Sequence, residues 1–301
     1  MKTFESLVKR NSKLFFRDKG LFFVSLITPL ILLVLYVTFL GNLYQTSFEA
    51  GLPMDYIDIP DEVIDGLVGG QLFSSLLSVC CITIAFCSNM LMVQDKITGA
   101  KNDFLITPVK KSTLALSYYV STFISTFAIC IFAFVCCVIY VACVGWFLSV
   151  GDVFLILLDI FLLVMFGTAL SSIINHFLSS QGQISAVGSI VSSCYGFICG
   201  AYMPISNFSE GLRNVVSFLP GTYGTSLLRN HTMGGAIKEL ESLGVPESAI
   251  ASLKDAVDCN IYCFDKCVST GAMYGILIGS IVLLVGVYVL INMLHKKRKA
   301  K

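Results

Sequence analysis

Two long stretches of the chain carry no charged residue and no histidine. Gly66 to Gln94 contains no Asp, Glu, Lys, Arg or His, and neither does Ser112 to Gly151. Each exceeds the roughly 20 residues a helix needs to cross the hydrocarbon core of a bilayer. Between them lies QDKITGAKNDFLITPVKKS, Gln94 to Ser112, short and cation-rich, with Ile97, Phe104 and Leu105 set among the charges. Such a segment is a loop at one membrane face, too small to be a domain but large enough to be a contact point.

The same pattern along the whole chain predicts six spans: Leu21–Leu40, Gly70–Met92, Leu114–Val138, Val153–Ile174, Ile184–Met203 and Ala272–Leu294. The first follows a basic amphipathic segment and has no small-residue cleavage site, so it reads as a retained span. Pro29 inside it predicts a kink, which neighbouring helices can tolerate in a membrane. Before it, Phe4, Leu7, Val8, Leu14 and Phe15 interleave with Lys9, Arg10 and Lys13 at helical spacing. That spacing predicts an interfacial helix with its cations toward lipid headgroups, the alternative being a plain basic flank.

The opposite face reads differently. Gly41 to Gly69 carries Glu49, Asp55, Asp58, Asp61, Glu62 and Asp65 and no cation. It reads as an acidic loop, either the plain counterpart of the basic face or an attractor for cationic substrates. After Met203-Pro204, Asn207-Phe-Ser-Glu210 has the form of a capping box. An amphipathic stretch follows with Leu212, Val215, Val216 and Leu219, then a Pro220-Gly221 break, then apolar Thr222 to Leu228. These pieces predict re-entrant or lid helices. Ala236–Leu243 and Pro246–Val257 predict a small helical hairpin, the second helix with Val245, Ile250, Leu253 and Val257 on its apolar face.

Composition and charge sharpen the class. The chain is 56% hydrophobic and 13% charged, which excludes an ordinary soluble domain and predicts an all-α polytopic membrane protein. With the N-terminus inside, 15 of the 20 Lys and Arg residues fall on the inner face, including Lys96, Lys101, Lys110, Lys111 and the cations of 295–301. Both termini are therefore expected in the cytoplasm of a cell-membrane protein. The organisation is 1–20 interfacial helix, 21–204 spans one to five with the 94–112 loop, 205–268 re-entrant and external region, 269–294 sixth span and 295–301 basic tail.

Catalytic and cofactor motifs are missing from the sequence. There is no G-x-x-x-x-G-K-[ST], H-E-x-x-H or G-x-S-x-G, so an ATP-driven step would use another polypeptide. The three histidines are far apart in sequence, and no metal site or cofactor is expected in this chain. Nine of the 12 cysteines lie in apolar runs, as small hydrophobes. Cys259, Cys263 and Cys267 recur every fourth residue, as one face of a helix would: a packed stripe, a disulfide or a soft-metal site. Asp152 predicts a cap for the fourth span. Asp159 lies about two turns deeper, where a carboxylate is costly and should face a cavity, a cationic substrate, a proton or a structural partner. Gly167, Ala169, Ser171 and Ser172 predict close helix packing, as do Gly271, Gly275 and Gly279, which could also serve dimerisation.

Taken in order, four segments resemble the membrane subunit of ABC-2 type ABC transporters. They are FFRDKGLFFVSLITPLILL from Phe15, QDKITGAKNDFLITPVKKSTLALS from Gln94, GTALSSIINHFLSSQGQISAVGSIV from Gly167, and GAYMPISNFSEGLRNVVSFLPGTYGTSLLR from Gly200. Asp95, Lys96, Gly99 and Pro108-Val109 match the family's loop pattern, although its usual acid is Glu. The resemblance implies a permease of a bacterial exporter, of a multidrug- or peptide-export-like branch. Two six-span subunits, the same or paralogous, would pair with two cytoplasmic ATPases that carry ATP and Mg. The N-terminal segment with Arg17 and Asp18 would be the elbow helix. Asp95, Lys96, Gly99, Asn102, Phe104, Leu105 and Pro108 would form the coupling helix on the ATPase. Ile205–Leu219 would close the outer gate, and Asp159 and Pro204 would lie on the substrate pathway. Drugs, antimicrobial peptides or lipid-like molecules are the implied cargo. An ion-coupled secondary transporter is the alternative, but it needs buried ionisable groups, broken helices and usually internal repeats; Asp159 is its one candidate.

Overall fold

The computed structural model describes residues 2–53, 57–263 and 266–294. Asp55 of the acidic loop, Asp265 and the basic tail 295–301 lie outside the described residues. Helices α1 (Lys2–Arg17) and α2 (Lys19–Leu35) meet at Asp18, whose side chain caps α2 by accepting from the Leu21 N–H at 3.0 Å. The Arg17-Asp18 pair thus marks a helix boundary, with Asp18 at the positive end of α2. The helix runs through Pro29 and continues by a π turn, Tyr36–Leu40, into α3 (Gly41–Gly51). The first span therefore extends past Leu40 and takes up the start of the expected acidic loop.

The second span is also longer than expected. Helix α4 (Asp61–Ser88) begins with Asp61 and Glu62 in its first turn, where carboxylates suit the helix dipole. It turns slightly at Asn89 and continues as α5 (Met90–Ile97). Of its most apolar window, 83% is buried: past Asp65 the helix carries no charge on any face and can be enclosed on all sides. Helices α7 (Lys111–Val144), α8 (Val150–Phe177) and α11 (Pro220–Ser242) pack around it. A Cβ on Gly70 would lie 2.8 Å from the Thr232 carbonyl, and one on Gly167 would lie 3.0 Å from the Cys81 carbonyl. Backbone contact of this kind needs residues without side chains. Ser149 and Asp152 form the capping box of α8, so Asp152 does serve that terminus.

Among the described residues, five helical segments are long and apolar enough to span a membrane: Lys19–Gly51, Asp61–Ile97, Lys111–Val144, Val150–Phe177 and Thr270–Leu294, the last being α13. The segment expected as the fifth of six spans is α9 (Gln181–Ile198), 18 residues with glutamines and serines in it, mostly exposed. It ends at Ile198, short of the expected Met203. Gly200 takes a positive φ of 74° and reverses the chain, packing Tyr202 back on Gly196.

Beyond α9 three expectations need correction. Asn207 does not cap a helix: Ile205–Asn207 is a 3-10 turn, and α10 (Glu210–Val216) starts after Ser209. The chain does break before Pro220-Gly221, since α10 ends at Val216, but the proline also opens the next helix. Proline is the first residue of α11, a position where its missing N–H costs nothing, and Ala236 to Ser242 is only the last part of that helix. Nor do Cys259, Cys263 and Cys267 share a helix face. Helix α12 (Glu247–Ala256) stops before Asp258, whose φ is 56°. Cys263 and Cys267 then lie on a two-stranded antiparallel hairpin, β1 (Tyr262–Cys263) with β2 (Lys266–Cys267). All three are free thiols. The apolar face expected of α12 is borne out, since Val245, Ile250, Leu253 and Val257 are buried in the main core.

Candidate functional site

The segment Gln94 to Ser112 folds into the end of α5, a left-handed Gly99 (φ 83°), the short helix α6 (Ala100–Ile106) and the start of α7. Only glycine takes this φ at no steric cost. Its charged residues divide by direction. Asp95 is buried and accepts a bidentate pair from Arg10 of α1, at 2.5 and 3.1 Å, and a hydrogen bond from the Tyr118 hydroxyl of α7 at 2.5 Å. The Asp95 hydrogen bond raises the Arg10 guanidinium above its ordinary value, against the opposing effect of burial. Lys96 turns to α8. Its ammonium donates to the carbonyls of Asn175, His176 and Leu178 at 2.9, 2.5 and 3.1 Å. These are carbonyls of the last turn and cap of α8, at its negative end, where Asn175 also accepts from the Leu178 N–H at 3.3 Å. Asn89, at the α4–α5 turn, donates to Ser171 and Ser172 at 3.0 and 2.9 Å. The root of the loop is therefore tied to three helices.

Its tip points outward. Ile97 is 47% exposed and Ile106 83% exposed, and Asn102, Asp103, Thr107 and Pro108 are exposed too. Phe104 is half-buried beneath Arg10, 5.0 Å from ring centroid to guanidinium. Burial, reinforced by Lys111, draws the Lys101 amine down from the usual lysine value. The Leu105 side chain lies outside what is described. The resulting surface is a rigidly mounted apolar tip rimmed by polar groups. Of the seven expected loop residues, Gly99, Asn102 and Pro108 sit at the tip or its hinge, while Asp95, Lys96 and Phe104 face the chain's own helices. Arg10, Tyr118 and Asn89 were not foreseen. Arg10 was expected to face lipid headgroups, but α1 buries Leu7, Asn11 and Phe15 and lays Arg10 beside them.

The two residues expected on a substrate pathway, Asp159 and Pro204, lie away from the loop and do not join it. Asp159 is fully buried and pairs with His231 and Tyr274. Pro204 precedes the 3-10 turn. Arg229, fully buried on α11, donates to Asp258 at 3.1 Å and to the Gly200 carbonyl. Asp258 also accepts from the Ile205 and Ser206 N–H groups at 2.6 and 3.1 Å. One guanidinium thus joins α11 to the turn after α9, the 3-10 turn and the end of α12. The signal was a cation directly after the apolar Thr222 to Leu228. A separate apolar cavity of about 410 Å³ lies between α4, α8, α9, α13 and the start of α11, with Phe86, Phe166, Tyr195, Leu219 and Leu283 in its wall. Neither Asp159 nor Pro204 lines it.

Fold and loop together define a multi-pass helical membrane protein, with a structured loop mounted on the ends of its spans. The ABC-2 type transporter family matches residues 2–232, and the chain belongs to that family. The match covers the first helix, the loop, α8, α9 and most of α11; α12, the hairpin and α13 follow it. No curated protein matches the chain.

Proposed function

We propose that this chain is the permease subunit of an ATP-driven ABC exporter and that Gln94–Ser112 is the contact through which a separate ATPase drives it. The observation that carries this reading is the two-sided loop. Its root is fixed to α1, α7 and α8 by Asp95 and Lys96, and its apolar tip, Ile97 and Ile106, is left outside. A push on the tip is transmitted to three helices because the linkage is made of hydrogen-bonded, buried groups. Family membership implies the ATPase partner. In this reading both termini are cytoplasmic, α9 is the fifth of six spans, and two permeases, the same or paralogous, meet two ATPases that bind ATP and Mg.

Outward movement of a drug, antimicrobial peptide or lipid-like molecule is the reading we favour. The 410 Å³ cavity supports an apolar cargo: it falls within the roughly 300–1,000 Å³ of small-molecule sites. The Arg229–Asp258 linkage would hold the 3-10 turn and α10 as the outer gate. The test is to purify the tagged chain from its native host and assay for a bound ATPase with vanadate-sensitive hydrolysis. A co-purifying ATPase is the expected result, and its absence under conditions that keep the membrane complex intact contradicts the reading.

A further inference from the structure

Asp159 lies nine residues into α8, about 14 Å from the helix start at 1.5 Å per residue. It is 0% exposed. One carboxylate oxygen lies 2.6 Å from His231 Nδ1 of α11, and the other accepts from the Tyr274 hydroxyl of α13 at 2.7 Å. The imidazole stacks on the Tyr274 ring with centroids 6.4 Å apart. Three helices therefore meet on one carboxylate.

Among the described residues the surroundings hold no other counter-charge. His231 and Tyr274 are the titratable groups that act on Asp159. Of the remaining helices packed on α8, α7 carries no charge beyond Lys111, and α4 carries none after Asp65. Asp95 and Lys96 of α5 are engaged at the loop. On α11 itself, Arg229 is committed to Asp258 and Gly200. Helix α12, packed further along α11, sets Lys254 3.7 Å from Glu241.

A carboxylate removed from water is costly unless it is neutralised. Tyrosine and a neutral imidazole offer only hydrogen bonds. An imidazole–carboxylate pair that holds one extra proton is neutral wherever the proton sits; without it the pair carries one net negative charge among apolar helices. We propose that Asp159, His231 and Tyr274 form a proton-binding site that latches α11 to α8 and α13, and that loss of the proton loosens this junction. The site is independent of how the Gln94–Ser112 loop docks, so either reading can fail without the other.

The sign follows from charge: the neutral pair suits its apolar surroundings and the net negative one does not, so the junction is tight at low pH and loosens as pH rises. The test is thermal unfolding of the full chain in lipid nanodiscs between about pH 5 and 8, the range in which histidine changes charge. The wild type is expected to lose at least about 2–4 °C in Tm as pH rises. His231→Gln, which keeps a polar side chain but cannot take the charge, should flatten that dependence. His231→Lys, charged throughout, should hold the low-pH stability at both ends. His176 and His295 are common to all three and cancel. If His231→Gln has the wild-type pH profile, the proposal is overturned. If neither variant assembles, Tyr274→Phe decides. It removes one donor from the unprotonated carboxylate and should move the fall in Tm to higher pH; an unmoved fall overturns the proposal.

Discussion

Asp95 and Lys96 are neighbours in sequence but serve different helices. Asp95 neutralises Arg10 and receives Tyr118 in a nearly closed environment. Asp95→Ala leaves the Tyr118 hydroxyl without its acceptor and Arg10 without its counter-charge, with Asn11 and the Phe104 ring as its remaining contacts, and we expect a loss of about 1–3 kcal/mol, the cost of stranding a buried polar or charged group. Lys96→Met uncovers the last carbonyls of α8. Its cost should be smaller, about 0.3–1 kcal/mol, as for a cation at a helix C-terminus. Thermal unfolding of the purified subunit checks both, and equal or reversed losses would contradict these assignments. Both variants should lower stability before they change any contact with a partner, because neither side chain reaches the tip of the loop.

At the scale of elements, small residues separate buried seams from free faces. Gly167→Ala pushes a methyl into the α4 backbone and should cost about 1–3 kcal/mol through overpacking. Gly275→Ala on α13 meets nothing within 4 Å and should be neutral or stabilising by about 0.4–1 kcal/mol. The same scan of unfolding midpoints reads out both. Sequence could not separate these glycines, since each sits in an apolar run with small neighbours. What sequence did reveal was governed by charge: the empty runs set the positions of α4 and α7, and the cation-rich interval set the loop. Where the helix ends depended on tertiary contact, the reading drifted. The fifth span was taken to Met203, but Gly200 turns the chain and Arg229 holds its carbonyl. Pro220-Gly221 marks a break that the structure keeps, but the 23-residue length of the helix it opens comes from packing on α4 and α8. The four-residue spacing of Cys259, Cys263 and Cys267 fitted a helix face, yet the left-handed Asp258 closes α12 and a hairpin takes up the last two. His231 could not be matched to Asp159 across 72 residues.

The whole molecule has a buried axis and two specialised ends. Helix α4 is enclosed by α7, α8 and α11, while α2 and α13 bury only 18% and 17% of their apolar windows and face outward. At one end Asp95, Lys96 and Asn89 fix the loop to the bundle; at the other Arg229 and Asp258 fix the cap. A helix bundle braced in this way moves its parts as rigid bodies, which suits a switch between two accesses. The central claim is that the exposed tip of the loop receives the force of ATP hydrolysis. The direct test is to measure hydrolysis and transport together in proteoliposomes holding the complex, comparing wild type with Ile106→Asp. The substitution is at an 83% exposed residue, so the subunit should fold and insert normally. The account predicts that transport per ATP hydrolysed falls about tenfold or more, the effect of losing roughly 1.4 kcal/mol of contact, with permease abundance unchanged. Transport and hydrolysis at the wild-type ratio in Ile106→Asp would contradict it.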